Sequence, residues 1–211
     1  MVTTEMDLGP VAGLLLAGGR SSRLGGGDKA LQVVAGRRLL DRVIERAAPQ
    51  VCCLLLNANG DPDRFLSYGL PVIADGVGDH WGPLAGVLAG FRRLAETRPD
   101  IAWMATFATD TPLFPLDLVA RLAARLVAEG ADLAVAASAG RTHPVFALWP
   151  LRLAQPLHHA LVEEGVRKVD AWIARYRAAV VDWPTDNGDD PFFNVNTAED
   201  LAHLEQMLRR R

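Results

Sequence analysis

A glycine-rich segment follows the first apolar run of the sequence and contains three cationic side chains. Its glycines and cations are Gly18, Gly19, Gly25, Gly26, Gly27, Arg20, Arg23 and Lys29. Glycine adopts positive φ angles and lets a backbone approach a ligand closely. Successive N–H groups in such a loop form a concave site for phosphate oxygens. The combination favours a triphosphate-binding loop over a plain surface turn.

Two common phosphate-binding motifs do not fit this segment. Asp28 stands directly before Lys29, where a Walker A motif requires glycine. Residues 25–30 formally match GxGxxA, but they lie too far beyond the preceding apolar run for a dinucleotide fingerprint.

Polar residues also end three other apolar runs. Asn57 follows residues 51–56, Asp75 follows residues 70–74 and Asp110 follows the run 101–108. In parallel α/β sheets, ligands bind beyond the carboxyl ends of the strands. We therefore expect Gly18–Gly19, Asn57, Asp75 and Asp110 to meet at one edge of a sheet.

The elements that must position these residues alternate between apolar strands and amphipathic helices. Predicted strands cover residues 11–16, 51–56, 70–74, 101–108, 133–137, 145–149 and 179–183. Predicted helices begin near residues 39, 84, 116, 157 and 166, and Thr197 caps a final helix. This alternation is typical of an α/β fold of Rossmann-like type, with a mostly parallel sheet and helices on both faces. We expect one domain over residues 1–211.

The residues from Leu16 to Lys29 match the pattern L-A-G-G-x-x-x-R-L/M-G-G-x-D-K without a gap. This pattern resembles the signature of the molybdenum-cofactor guanylyltransferases, within a broader superfamily of nucleotidyltransferases. Further blocks at residues 57–59, 72–75, 82–86, 110–112, 143–148 and 194–197 resemble the same family in order. Thr109 replaces a frequent cysteine, and we expect that change to be tolerated.

The resemblance implies a nucleotide-diphospho-sugar transferase type of fold and a role for each matching residue. It implies catalytic roles for Arg23, Lys29 and Asp110, with Mg²⁺ as the cofactor held by Asp110. It places GTP on Leu16, Ala17, Gly18, Gly19, Lys29, Asn57, Asp75 and Asp110. Asn194 and Asn196 are assigned to molybdopterin. The GTP and magnesium half then covers about residues 10–110, and the molybdopterin half about residues 111–211.

Each role has a simpler structural alternative. Asp110 could cap the next helix, and Asp75 suits a turn. A carboxylate at Asp75 would otherwise accept the N1–H and N2–H donors of guanine. Asn194 and Asn196 flank Val195, so their amides share one face of a predicted strand and could bind a pterin or a phosphate, or satisfy a sheet edge.

The implied reaction transfers GMP from GTP to molybdenum-loaded molybdopterin and releases pyrophosphate. The alternatives are a CTP-dependent molybdopterin cytidylyltransferase, a sugar-phosphate nucleotidyltransferase, and a GTP-binding or cofactor-carrier protein without turnover. GTP and molybdopterin would be small-molecule substrates. The resemblance also leaves room for transient contact with proteins that deliver molybdopterin or mature molybdoenzymes.

Composition excludes several other classes of function. The net charge of −3 argues against nucleic-acid binding, which needs a basic face. No apolar run reaches the roughly 18 residues of a membrane span, and the first ten residues contain no Lys or Arg for a signal peptide. Cys52 and Cys53 are adjacent in an apolar run, which predicts buried thiols in a reducing compartment. We therefore expect a cytoplasmic protein.

Overall fold

The apolar runs form a seven-stranded sheet in the computed structural model, which describes residues 8–18, 28–76, 81–185 and 188–210. The strands in chain order are β1 (Val11–Leu16), β2 (Val33–Val34), β3 (Arg37–Arg38), β4 (Cys53–Asn57), β5 (Val72–Ile73), β6 (Trp103–Ala108), β7 (Leu133–Ser138), β8 (Arg141–Pro150) and β9 (Ala178–Trp183). The large sheet has the order β5-β4-β1-β6-β8-β7-β9, and β2 pairs with β3 in a separate hairpin.

All neighbouring strands of the large sheet run parallel except β8, which is antiparallel to both β6 and β7. The mostly parallel sheet predicted from the sequence is therefore confirmed. The short turn at 139–140, between β7 and β8, makes that antiparallel pair a hairpin, with Ala139 and Gly140 at positive φ. A parallel crossover would need a dozen or more residues, so the short connection dictates the direction of β8.

Helices cover both faces of the sheet, as expected. They are α1 (Leu39–Ala47), α2 (Pro83–Thr97), α3 (Leu118–Glu129), α4 (Ala154–Val162), α5 (Val169–Ile173) and α6 (Ala198–Arg210). Strand β1 shows the principle, because Leu15 packs with α1 and α3 whereas Leu14 and Leu16 pack with α2, α4 and α5. Side chains alternate between the two faces along a strand, so fully apolar strands build two cores.

A third, smaller apolar cluster lies apart from these two cores. It joins α6 to the β2–β3 hairpin and to the segments that follow β6 and precede α6, through Val34, Leu39, Leu113, Val195, Leu204 and Met207. This cluster holds the end of the chain against the sheet edge where the site residues collect.

Several predicted details are corrected by the structure. The β2–β3 hairpin is not evident from the sequence pattern, and β4 begins at Cys53 rather than at residue 51. Cys52 is exposed and Cys53 is half-buried, so the prediction of two buried thiols is wrong. Cys52 lies before the first residue of β4, and its N–H donates to Val11 O at 2.9 Å. Asn194 and Asn196 lie in an irregular segment rather than in a strand.

Within the described part of the chain, every helix falls short of the length and apolar character that crossing a bilayer requires.

Candidate active site

The carboxyl ends of four neighbouring parallel strands bring the predicted site residues to one edge of the sheet. In the order β5, β4, β1 and β6, these strands lead to Asp75, Asn57, Gly18 and Asp110. Adjacent strands lie about 4.8 Å apart. The expected convergence at one rim is confirmed for these residues.

The exit of β1 is fixed by hydrogen bonds from both neighbouring strands. Ala17 N donates to Asn57 O at 2.9 Å, and Thr109 donates to Leu16 O from both its N–H, at 3.3 Å, and its Oγ1, at 3.1 Å. Leu16 is buried and Ala17 is half-buried, whereas Gly18 is exposed. The main chain therefore leaves the core at Gly18. Gly19 and Arg23, like Arg20 and the three glycines at 25–27, lie outside the described residues.

A polar cluster at the ends of β4 and β5 forms one side of the site, here called the base side and made of Asn57, Asn59 and Asp75. The Asp75 carboxylate accepts from Asn57 Nδ2 at 2.9 Å and from Asn59 Nδ2 at 2.7 Å. Asp75 N donates to Asn59 Oδ1 at 3.0 Å, and Asn57 Nδ2 also reaches Ile73 O at 3.2 Å. These contacts hold the carboxylate in a defined orientation at the edge of the sheet.

Asn57 lies beneath Asp75 and is almost fully buried, at 4% exposure. A Cβ atom built on Gly86 of α2 would lie 2.2 Å from Asn57 Oδ1 and 2.7 Å from Leu16 Cδ2. Glycine is thus required at position 86 for α2 to approach the ends of β1 and β4. The geometry gives Asn57 an orienting contact with Asp75, and its predicted contact with the nucleotide stays a prediction.

The other side of the site, the phosphate side, is made of Lys29, Asp110 and Asn196. Lys29 Nζ donates to Asp110 Oδ2 at 2.6 Å and to Asn196 Oδ1 at 2.6 Å. Asp110 Oδ1 also accepts from Thr111 Oγ1 at 3.3 Å. The Lys29 side chain is 13% exposed and that of Asp110 is 24% exposed, so both groups are sheltered but accessible.

Asn196 reaches Lys29 because the segment before α6 is bonded to the end of β6. Val195 is fully buried and its N–H donates to Asp110 O at 2.9 Å. Asp200 Oδ2 accepts from the N–H groups of Asn196 and Thr197, and Thr197 Oγ1 accepts from Asp200 N. This reciprocal cap fulfils the capping predicted at Thr197. Asn194 is exposed beside this segment.

The cap lowers the pKa of the Asp200 carboxyl. Burial acts to raise the pKa of its carboxyl, but hydrogen bonding with Asn196 and Thr197, together with the charge of Lys29, outweighs burial and leaves the pKa below its ordinary value of 3.8. Asp200 is therefore ionised across the neutral range, where its carboxylate accepts hydrogen bonds from Asn196 N and Thr197 N and holds the main chain at Asn196.

A second polar network lies at the same rim, between β7, β8 and the segment before α6. Ser138 Oγ is 2.7 Å from His143 Nε2 and donates to Asp190 Oδ1 at 2.6 Å, while Phe192 N donates to the same oxygen at 2.8 Å. The His143 ring stacks on Phe192 with centroids 4.5 Å apart. Burial lowers the pKa of His143 from 6.5, with Asp190 acting in the opposite direction and Arg141 in the same direction.

Asn59 and Thr109 are supporting residues that the sequence reasoning did not assign to the site. Asn59 belongs to the block at residues 57–59 that resembles the family, and its spacing of two from Asn57 is the signal in the sequence that indicates it. Thr109 was treated only as a tolerated replacement, although its hydroxyl bonds the β1 carbonyl next to the glycines.

Metal-binding groups are sparse. Within the described residues, no group of three or more His, Cys, Asp or Glu side chains could hold a metal ion. A cation at this rim would therefore need most of its ligands from a substrate or from water.

Three comparisons with known proteins agree with this architecture. Residues 13–180 match the family model described as a MobA-like NTP transferase domain. A molybdenum cofactor guanylyltransferase of Bradyrhizobium sp. (strain ORS 278) is 57% identical over 197 residues, covering 93% of this chain and 92% of that protein. One from Rhodopseudomonas palustris (strain BisB5) is 55% identical, with 93% of each chain covered.

A solved structure gives the same fold independently. The molybdopterin-guanine dinucleotide biosynthesis protein A from Archaeoglobus fulgidus superposes with a TM-score of 0.73 at 24% identity. The alignment covers 95% of this chain and 100% of that one.

Proposed function

The chain belongs to the family of MobA-like NTP transferase domains, and on that premise we propose that it transfers GMP from GTP to molybdopterin, releasing pyrophosphate. It is a nucleotidyltransferase that acts in the biosynthesis of the dinucleotide form of the molybdenum cofactor. The curated relatives that match nearly the whole chain are named molybdenum cofactor guanylyltransferases.

The observation that supports this proposal most directly is the contact of Lys29 with Asp110 at the rim where the base side also lies. A triphosphate needs a cation, and a metal-bound triphosphate needs a carboxylate nearby. An acceptor for a purine edge completes the set. The phosphate side supplies the first two groups, and Asp75 supplies the third.

In the proposed complex, GTP lies along the rim with its base at Asp75 and its phosphates at Lys29. Each carboxylate oxygen of Asp75 accepts one amide N–H in the structure. A carboxylate has about four acceptor sites, so Asp75 can also accept N1–H and N2–H of guanine. Cytosine presents no such donor pair, which makes Asp75 the basis for choosing GTP over CTP.

Asp110 is the residue that would hold Mg²⁺, because its carboxylate is accessible and stands beside the cation that would meet the phosphates. Mg²⁺ in such sites is held by one or two carboxylates together with substrate phosphates and waters, which fits the sparse acidic surroundings. When bound, it would supply Lewis-acid polarisation of the phosphate oxygens.

The transfer itself requires positioning and charge neutralisation. A terminal phosphate oxygen of molybdopterin forms a bond to the α-phosphorus of GTP, and the bond from that phosphorus to the β-bridging oxygen breaks. The nucleophile is already anionic near neutral pH, so no side chain has to remove a proton. Lys29 and Arg23 would neutralise the departing pyrophosphate, and Asn194 and Asn196 would orient molybdopterin.

Pyrophosphate release is the most direct test of this function. The purified chain is incubated with molybdenum-loaded molybdopterin, MgCl₂ and one of GTP, CTP or ATP. We expect pyrophosphate and the guanine dinucleotide product with GTP only, and loss of both when EDTA removes the divalent ion.

Each alternative outcome would indicate a different function. Turnover with CTP in place of GTP would identify a cytidylyltransferase. Tight GTP binding without pyrophosphate in the complete assay would identify a binding or carrier protein. A thermal shift with each nucleotide supports the assay, because a ligand at 100-fold over its Kd stabilises the folded state by about 2.7 kcal/mol.

A further inference from the structure

Arg64 contacts Asn59 of the base side and Asp28, the residue next to Lys29 of the phosphate side. It belongs to a short 3₁₀ helix, Pro62–Tyr68, that lies between Asn59 and Asp75 in the chain. Its guanidinium forms an ion pair with Asp28 through Nε, and Arg64 Nη2 donates to Asp28 Oδ1 at 3.4 Å. Asp28 directly precedes Lys29 in the chain.

The same guanidinium holds the main chain of the base side. Arg64 Nη2 donates to Asn59 O at 2.6 Å, and Arg64 Nη1 donates to Asp61 O. Asn59 in turn binds Asp75 twice, because its Nδ2 donates to the Asp75 carboxylate and its Oδ1 accepts from Asp75 N. The guanidinium also lies 4.7 Å from the centroid of the Phe65 ring, which fixes its position.

A continuous series of polar contacts therefore runs from Asp28 through Arg64 and Asn59 to Asp75, and Asp28 is joined to Lys29 by the peptide chain. From these contacts we infer that Arg64 is a positioning residue that couples the two sides of the nucleotide site. It sets the separation between the guanine acceptor at Asp75 and the phosphate cation at Lys29. The inference rests on the proposed GTP site and goes beyond it, because Arg64 would act through Asp28 and Asn59 rather than on the reacting atoms.

The chemistry of arginine suits this function. Its planar guanidinium presents several N–H donors in a fixed fork, so that one side chain can bind a carboxylate and two carbonyls at once. The side chains of Arg64 and Asp28 are only 26% and 23% exposed, so the pair is partly sheltered from solvent screening. A lysine could keep the charge but not the simultaneous contacts with Asn59 and Asp61.

The coupling has a distinct thermodynamic consequence. GTP spans both sides, whereas inorganic triphosphate engages the phosphate side alone. If Arg64 sets their separation, releasing it weakens the binding of GTP more than the binding of triphosphate. Loss of a residue that supported the phosphate side alone would weaken the binding of GTP and of triphosphate equally.

The test is a double-mutant cycle with Arg64→Leu, Asp28→Asn and the combined variant, with dissociation constants for Mg·GTP and Mg·triphosphate measured by calorimetry. We expect each single variant to raise the GTP Kd about tenfold and the double variant to add little, which is the behaviour of contacting residues. The triphosphate Kd should change less than about twofold. Asp28→Asn preserves shape and provides the test alone should Arg64→Leu fail to fold.

Arg98→Leu is the matched control, because Arg98 makes a two-pronged ion pair with Asp100, at 2.9 and 2.8 Å, beyond the opposite end of β6. It should leave both Kd values unchanged. Additive single variants, equal losses for GTP and triphosphate, or unchanged GTP binding in folded variants would each overturn the role of Arg64. A wild-type chain that fails to bind GTP would instead overturn the proposed function.

Discussion

The two sides of the site are built in different ways. On the base side, Asn57, Asn59 and Asp75 come from one stretch of chain and bond one another across 16 or 18 residues. On the phosphate side, Lys29 meets Asp110 across 81 residues and Asn196 across 167. The first is a local network of consecutive strand ends, and the second joins three distant segments at one ammonium group.

This difference separates a preformed site from one that must rearrange. The amide donors of the base side already hold the Asp75 carboxylate in place, and in the proposed complex guanine would add to them without displacing any. Lys29 donates to the Asp110 carboxylate and to the Asn196 amide oxygen, so in the proposed complex the binding of phosphates and Mg²⁺ would redistribute its contacts. We expect the phosphate side to govern turnover and the base side to govern nucleotide choice.

The largest expected effect is on the phosphate side. Asp110→Ala should lower kcat by about 10²–10³, the usual cost of removing one electrostatic stabiliser. The fold should persist because the side chain is partly exposed and Val195 bonds the Asp110 carbonyl, not its carboxylate. Pyrophosphate release at saturating GTP measures the change, and near-normal turnover in the folded variant would remove the asymmetry between the two sides.

The base side should respond in the opposite manner. Asp75→Asn replaces an acceptor by an amide, and hydrogen bonds to a charged group contribute about 1.5–3 kcal/mol, or about 10- to 100-fold in KM for GTP. The value of kcat should change little. ITP lacks the 2-amino group, so the wild-type preference for GTP over ITP should largely vanish in the variant. An unchanged preference would place guanine recognition elsewhere.

The close approach of Gly86 to Asn57 offers a test with a smaller but more specific effect. Gly86→Ala forces a methyl group against Asn57 Oδ1, whereas Gly90→Ala, one turn along the same helix, meets Met104 Sδ at 2.8 Å and a Leu14 methyl carbon (Cδ2) at 2.9 Å. Alanine in a helix is otherwise favoured over glycine by about 1 kcal/mol. Both variants should be destabilised by crowding, measured by denaturant unfolding.

The two glycine variants should differ in nucleotide affinity. Displacing Asn57 also displaces Asp75, so we expect Gly86→Ala to weaken GTP binding about tenfold, the effect of one hydrogen-bond partner. Gly90 faces the core residues Met104 and Leu14 rather than the base side. Gly90→Ala should therefore leave the GTP Kd within about twofold of the wild-type value. Equal affinity in the two variants would mean that Asn57 does not orient the base side.

The sequence predicts the residues at the strand ends better than the contact made by Asn196, for a physical reason. Parallel strands bring their carboxyl ends to one edge, so Asn57, Asp75 and Asp110 could be placed together from apolar runs alone. The position of Asn196 depends on the third apolar cluster and on the bond from Val195 to Asp110. No local pattern encodes a contact across 167 residues, and only the family resemblance pointed to Asn196.

Supporting contacts were the least predictable. The sequence alone indicates that Thr109 is a neutral replacement, whereas in the structure its hydroxyl donates to Leu16 O. The chain contains many arginines, and nothing in the polar sequence around Arg64 distinguishes it from the others. Its link to Asp28 depends on a 3₁₀ helix whose apolar residues show no regular spacing. The hairpin direction of β8 could be inferred from its short turn, but not the register shift between Val135 and Ala136.

The smallest expected effect concerns His143, whose network holds the segment leading to the phosphate side. Because burial lowers its folded-state pKa below 6.5, the unfolded chain binds the proton more readily. Stability is therefore complete above the unfolded pKa of about 6.5 and declines as pH falls below it, by no more than about 1.4 kcal/mol per pH unit for one proton. The half-buried ring keeps part of its hydration, so the decline should be shallower.

Urea unfolding at pH 7.5 and pH 5.5 measures this decline. His143→Gln should lose less stability than the wild type between those values, because it cannot take up the proton. His203→Gln is the control, since His203 is exposed and its ring meets that of Phe193 in an edge-to-face contact. Protonation of His143 would also disturb its contact with Ser138. Because Ser138 and Phe192 both bond Asp190, the disturbance would reach the segment that leads to Asn196. Acidification should then raise the triphosphate Kd of the wild type more than that of His143→Gln, and equal increases would separate this network from the phosphate side.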